Sequence, residues 1–287
     1  MTPFASLVVT PSLFSVMLAL GLRLRPESLD DWLRRPGLPL KVLLGSCLLV
    51  PVAGLLLLQV PWSWELSRPA RHAIALMAMC PSAPLTLRKA GVSGGDRQLA
   101  ALLQVSAAIA AIVTIPLMAL LFRQSFQVDG WLIRPLDVAI QVGTVQVLPL
   151  SLGVLLRQRL PTLAERIQRP LERLANTLLL LLVVLVLIKA GPTLLAAVPA
   201  DPGALLAMAL LIGLSMGLGR LLGGSDPRRG VTTALVTAMR NPGLALLFAT
   251  SHGKDLPGLK VWILAYVLIT VLLSTSLLRL ESHRASA

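Results

Sequence analysis

Four basic side chains interrupt apolar stretches that are long enough to cross a membrane, and these residues have the chemistry to bind an anion. They are Arg88, Lys89, Lys189 and Arg240. A cation near the centre of a spanning helix costs on the order of 3 kcal/mol to insert, so it needs a partner or a wet cavity. The acidic residues lie in predicted loops or at span ends, with Asp137 the nearest to an exception. We therefore expect the acceptors to be backbone carbonyls, water or an anionic ligand.

Proline breaks two of these apolar stretches close to the charges. The stretches are 72–95 and 230–252, one in each half of the chain. Proline lacks an amide donor and clashes with the preceding turn, which predicts two half-helices in each stretch. Unwound backbone at membrane depth is tolerated where it lines a cavity or is buried in protein, and paired breaks point to a transporter's binding site. The residues that form the breaks are Pro81, Pro84, Pro242 and Gly243.

Two roles are open for the cation in the second break. Arg240 either provides the counter-charge of an anionic substrate or caps the carbonyls at the end of the preceding half-helix. Arg88 and Lys89 follow the first break, where they either join the substrate site or extend towards the cytoplasm. Lys189 is interpreted as extending towards the outer membrane surface.

Composition indicates a membrane protein and excludes a single soluble core. Of 287 residues, 55% are hydrophobic and 14% are charged. The formal charge of +13 does not indicate nucleic-acid binding, because the basic residues lie in short gaps between apolar runs. Cys47 and Cys80 lie inside apolar segments, so neither a disulfide nor a metal site is expected. The lipid bilayer is therefore the predicted surrounding of the chain.

The apolar runs predict about nine transmembrane helices, each of roughly 20 residues. Basic residues concentrate in alternate loops, which places the N-terminus outside and the C-terminus in the cytoplasm. The loops are short, so residues 1–287 are expected to form a single transmembrane domain. The predicted spans are 4–22, 38–60, 72–95, 98–122, 135–156, 174–198, 203–222, 230–252 and 259–280.

The sequence offers little support for catalysis. There is no HExxH pattern and no paired acids within the predicted spans, so the chain is not expected to be an enzyme. Transport of an organic anion is the leading hypothesis. Efflux of a small neutral or inorganic solute and a non-transporting receptor or subunit are the alternatives.

Several motifs, in order and spacing over nearly the whole chain, resemble the bile acid:sodium symporter family. They are Met17-Leu18-Ala19-Leu20-Gly21-Leu22 before Arg25-Pro26, Arg35-Pro36 before Pro51, the Cys80-Pro81 break, and Met239-Arg240-Asn241-Pro242-Gly243-Leu244-Ala245. The resemblance implies an all-α polytopic membrane protein with inverted repeats. It also implies a panel domain beside a core domain in which the two broken helices cross, and a location in the bacterial inner membrane. Arsenite and auxin carriers are related to this family.

The resemblance also assigns positions for sodium ligands, and this chain keeps few of them. Thr86 and Asn241 match the expected chemistry and are interpreted as vestigial sodium positions. Val236 and Arg240 stand where the family has glutamate and glutamine. An expected amide falls at Ser46, and two expected hydroxyls fall at Ala100 and Gln104.

A hard cation such as sodium prefers several oxygen ligands, and a guanidinium in their place repels it. We therefore expect that fixed guanidinium groups have replaced the coupling ion, and we assign no cofactor. The candidate substrate-binding residues are Arg240, Asn241, Thr86, Arg88, Ser46 and Gln104.

Overall fold

The computed structural model describes residues 3–24, 36–81, 83, 86–126, 134–252 and 256–286, and all regular structure within these ranges is helical. The helices are numbered here in chain order. Long apolar runs form most of them, and proline lies at or near the first position of many, where its missing amide donor is not needed. They are α1 (Pro3–Arg23), α2 (Gly37–Leu57), α3 (Arg68–Met79), α4 (Thr86–Val92), α5 (Arg97–Phe126), α6 (Pro135–Arg159), α7 (Pro161–Ala200), α8 (Pro202–Leu222), α9 (Pro227–Ala238), α10 (Pro242–His252) and α11 (Leu259–Ser286).

Six membrane-crossing segments are long and apolar enough within the described residues. These segments include α9 and α10 taken together as one interrupted span. The remaining three predicted spans correspond to α1, to α3 and α4 on either side of the first break, and to part of α7. A polytopic helical membrane protein is thus confirmed, whereas the number nine and the inverted repeats stay predictions.

The basic segment 157–173, which connects two of the predicted spans, is helical except at Leu160. Helix α6 runs to Arg159, and α7 starts at Pro161 and continues for 40 residues.

Helices α1, α6 and α7 pack on one another. Two glycines let α1 and α6 come into backbone contact, because a Cβ on Gly21 would lie 2.9 Å from the Cα of Gly153. The other helices surround α3 and α9, which are buried from Ala73 and Thr232 onwards, respectively.

Two helices, α2 and α6, contain a π-helical turn, at Gly45–Leu49 and Gly143–Val147. Such a turn shifts the carbonyls out of the regular helical pattern and is frequent at functional sites. The turn in α2 buries Gly45, Ser46 and Cys47 next to the breaks.

The glycine-rich run of α8 is a packing surface only at its C-terminal end. A Cβ on Gly219 would lie 2.7 Å from the backbone Cα of Ala234 in α9, whereas one on Gly213 would meet nothing within 4 Å. Close packing of this run against a neighbouring helix therefore occurs at Gly219.

We predict that Gly219→Ala destabilises the protein by about 2 kcal/mol, because backbone atoms cannot move aside as a flexible side chain does. Gly213→Ala is the matched control on the same helix and should leave thermal unfolding in detergent almost unchanged. Equal unfolding temperatures for the two variants would contradict this packing.

Candidate functional site

The two breaks cross and are joined by backbone hydrogen bonds. Each first half-helix, α3 and α9, ends in an extended residue, Cys80 (φ −90°, ψ 96°) and Met239 (φ −79°, ψ 101°). The amide of Asn241 donates to the carbonyl of Cys80 at 3.0 Å, and the amide of Ala83 donates to the carbonyl of Met239 at 2.9 Å. These bonds satisfy backbone groups that unwinding would otherwise leave unpaired within the membrane.

Arg240 lies at this crossing with 2% of its side chain exposed, and its guanidinium is bound by protein acceptors. Its Nε donates to the carbonyl of Met77 at 3.0 Å. Its Nη1 donates to the carbonyl and hydroxyl of Ser46 at 2.9 and 3.1 Å and to the carbonyl of Thr237 at 3.3 Å. Its Nη2 donates to the carbonyl of Ala78. One guanidinium therefore links both first half-helices and the π-helical turn of α2.

This arrangement extends the capping role considered for Arg240. The carbonyl of Thr237 belongs to α9, the half-helix that precedes Arg240, but those of Met77 and Ala78 end α3. The last carbonyls of a helix carry partial negative charge and lack intrahelical partners, so a cation stabilises them. The guanidinium meets two such helix ends at once, both at membrane depth.

The remaining crossing residues have mixed roles. The Oδ1 of Asn241 accepts from the amide of Leu244 at 3.2 Å, which caps the start of α10. Thr86 is buried, and its hydroxyl has no hydrogen-bond partner within the described part of the chain. Gln104 is 1% exposed, with its Nε2 3.9 Å from the Sδ of Met17, and its Oε1 has no partner within the same residues. The Thr86 hydroxyl and the Gln104 amide therefore retain hydrogen-bonding capacity.

The four break residues lie at or beside this crossing so far as they are described. Pro81 is buried directly after Cys80, and Pro242 begins α10. A Cβ on Gly243 would lie 2.8 Å from the Cδ1 of Leu13, so α1 packs directly on the start of α10. Pro84 lies outside the described residues.

Apolar side chains surround the position where the family has its glutamate. Val236 is 1% exposed and shares a cluster with Ala100 and Val42. Leu103 and Ala83 belong to the same buried cluster. Desolvating a sodium ion in such surroundings without oxygen ligands would be strongly unfavourable.

Arg88 does not join Arg240 at the crossing. It is exposed and lines a cavity of about 270 Å³ with Arg23 and Arg97, between α1, α4, α5 and α7. A neighbouring cavity of about 380 Å³ shares Arg23 and Arg97 and adds Arg157. The structure thus places Arg240 at a buried crossing and Arg88 in an open cleft.

Sequence reasoning interpreted Arg23 and Arg97 only as charges that orient the chain. The available signal was that each stands at the end of an apolar run, and that Arg97 also lies close to the first break. Arg23 pairs with Glu172, its Nη2 lying 2.8 Å from Oε2 and its Nε contacting Oε1. Lys89 lies apart from the cleft lining and donates to the hydroxyl of Thr275 at 2.5 Å. The side chain of Lys189 lies outside the described part of the chain.

The two cysteines, Cys47 and Cys80, are free thiols and both are buried.

Comparison with known proteins identifies relatives of this architecture. A model of the sodium bile acid symporter family matches residues 10–197. Sodium/bile acid cotransporter 4 of Homo sapiens is 27% identical over 220 residues, covering 74% of this chain and 48% of the relative. A probable chloroplastic sodium/metabolite cotransporter of Oryza sativa subsp. japonica is 30% identical over 159 residues, covering 55% of this chain and 36% of the relative. The chain therefore spans about half or less of the length of these relatives.

Proposed function

The chain belongs to the sodium bile acid symporter family, and we propose that it moves an organic anion across the bacterial inner membrane by alternating access without sodium coupling. The observation that carries this proposal is the Arg240 guanidinium, which is buried at the crossing and bonded to both half-helix ends. Its relatives are named as sodium cotransporters. In this chain the guanidinium of Arg240 takes the position at which the family resemblance places a sodium ligand.

Charge balance supports the absence of sodium coupling. A bound sodium ion would bring positive charge to the carbonyl-rich crossing, and the guanidinium already supplies it. The family's glutamate position, Val236, is apolar and packs with Ala100, where a hydroxyl is expected. A sodium ion here would meet like charge and too few oxygen ligands. The transport cycle would then be driven by the anion's own gradient or by exchange.

The anion is proposed to bind where the second half-helices begin. The N-terminus of α10, which follows Asn241, carries partial positive charge. The unpartnered hydroxyl of Thr86 is a buried donor near the start of α4. Gln104 contributes its side-chain amide. Because this group can be turned by 180°, either its nitrogen can donate to the ligand or its oxygen can accept from it. Arg240 contributes charge to this site, while its hydrogen bonds remain with the protein.

Alternating access would arise from movement between the two helix groups. Helices α1, α6 and α7 form one packed group, and α1 meets the crossing through Leu13 and Gly243. The basic cleft that contains Arg88 opens between this group and helices α4 and α5. Rocking of one group against the other would expose the crossing first to one side of the membrane and then to the other.

Uptake of labelled organic anions by proteoliposomes tests this proposal. We expect saturable uptake that depends on Thr86, with Thr86→Val lowering apparent affinity about tenfold, since a hydrogen bond to a charged group contributes about 1.5–3 kcal/mol. Thr144→Val is the matched control, because its hydroxyl bonds to its own helix and is exposed. An absence of uptake for every organic anion tested would overturn the proposed function.

A further inference from the structure

Two arginines in the cleft have no ion-pair or hydrogen-bond partner among the described residues. Arg88 and Arg97 both line the 270 Å³ cavity. The third arginine, Arg23, is held by Glu172 in a two-point ion pair. Counted over the described residues, the lining therefore carries three positive charges and one negative charge, a net charge of +2.

Apolar side chains make up much of the remaining lining of this cavity. They include Val16, Ala19 and Leu20 of α1 and Leu87 and Val92 of α4. A ligand that fits both parts would combine a short hydrocarbon body with strongly charged oxygens. Guanidinium groups suit this chemistry because their planar donors match carboxylate and phosphate oxygens in pairs.

The guanidinium of Arg97 lies over Gly91 of α4. A Cβ added at Gly91 would lie 2.6 Å from the Cζ and 2.8 Å from the Nη2 of Arg97. The missing side chain at residue 91 therefore lets the guanidinium lie against the last turn of α4. Arg97 also lines the neighbouring 380 Å³ cavity, as Arg23 does, so it lies between the two halves of the cleft.

We propose that the cavity lined by Arg23, Arg88 and Arg97 binds a compact organic dianion and that the transported solute belongs to this class. Short dicarboxylates and phosphorylated small acids have this chemistry. The inference rests on the transport function proposed above and extends it from an anion to a doubly charged one. Two unpaired guanidinium groups in one cleft attract two negative charges more strongly than one.

Thermal unfolding in phosphatidylcholine nanodiscs tests the preference. Succinate is the dianion probe and lactate the monoanion probe, both titrated in sodium-free buffer at constant ionic strength, because salt screens exposed charges. We expect a saturable rise in unfolding temperature with succinate and an apparent affinity at least about tenfold weaker for lactate. Equal affinities, or no shift with either probe, would overturn the inference.

Two variants distinguish a specific binding site from non-specific attraction to positive charge. Arg97→Gln removes a charge, whereas Gly91→Ala keeps every charge and displaces the Arg97 guanidinium. We expect each to weaken succinate binding about tenfold. The control is Arg173→Gln, which removes an exposed charge outside the cavity lining and should leave binding unchanged. Equal weakening in the control would show general electrostatics and overturn the inference.

Anionic lipid headgroups offer similar chemistry, so a third arm repeats the titration with phosphatidylglycerol in the nanodiscs. Retention of the succinate shift supports a solute site. If the lipid abolishes that shift and itself protects the protein only when Arg97 is present, the site belongs to the lipid and the inference fails.

Uptake by proteoliposomes separates the inference from the function on which it rests. Faster uptake of succinate than lactate supports both. Equal uptake of the two probes overturns the dianion inference and leaves organic-anion transport intact. Failure of every organic anion to enter overturns both.

Discussion

Replacing Arg240 with glutamine is expected to lower the unfolding temperature by about 10 °C. Hydrogen bonds from a charged donor contribute about 1.5–3 kcal/mol each, and unpaired buried carbonyls add a desolvation cost. The guanidinium serves four carbonyls and one hydroxyl, whereas a glutamine amide has only two donor hydrogens. A net loss of about 4 kcal/mol therefore corresponds to roughly 10 °C, at about 2–4 °C per kcal/mol for a chain of this size.

Two further variants show which property of Arg240 matters. Arg240→Lys keeps the charge but loses the planar fork that reaches several acceptors, so an intermediate fall is expected. Arg228→Gln removes an exposed arginine from the start of α9 and should leave unfolding almost unchanged. An unaltered unfolding temperature in Arg240→Gln with lost substrate affinity would place the guanidinium on the anion instead of on the carbonyls.

The double variant Val236→Glu with Arg240→Gln is expected to gain a stabilising response to sodium. Removing the guanidinium frees the carbonyls of Met77 and Ala78 and both oxygens of Ser46. The introduced glutamate adds the negative charge that a hard cation prefers among its ligands. A ligand that binds the folded state at 100 times its Kd stabilises it by about 2.7 kcal/mol, so a rise of several degrees in saturating sodium is expected.

Potassium and a neutral double variant provide the controls for this gain. Val236→Gln with Arg240→Gln has the same side-chain length without the carboxylate and should respond to sodium no more than to potassium. Identical responses of the glutamate variant to the two cations would show that Arg240 does not occupy the place of a bound ion.

The breaks and their composition were predictable from sequence because their causes are local. Proline at residues 81 and 242 removes donors wherever the chain lies, and the shortage of nearby acids identified Arg240 as a cation with backbone or ligand partners. The capping alternative was correct for the carbonyl of Thr237, three residues away. Short sequence separation made that contact foreseeable.

The partners of Arg240 in α3 were not predictable in the same way. Met77 is 163 residues from Arg240, and only the crossing of the two breaks brings its carbonyl within reach. The π-helical turn that presents Ser46 likewise has no reliable sequence signature. Arg88 was grouped with Arg240 because both follow breaks, but α4 directs it towards the open cleft. The contact with Met77 and the position of Arg88 depend on how distant segments of the chain pack together, which a single sequence does not show locally.

The most direct test of the central claim is uptake of a labelled organic anion into proteoliposomes containing the unaltered protein, with an inward gradient of sodium compared with an equal gradient of potassium. With a fixed guanidinium in place of the coupling ion, the initial rates should agree within the general effect of salt. A saturable stimulation by sodium that potassium does not reproduce would contradict the account, because it would require a sodium site beside the buried Arg240.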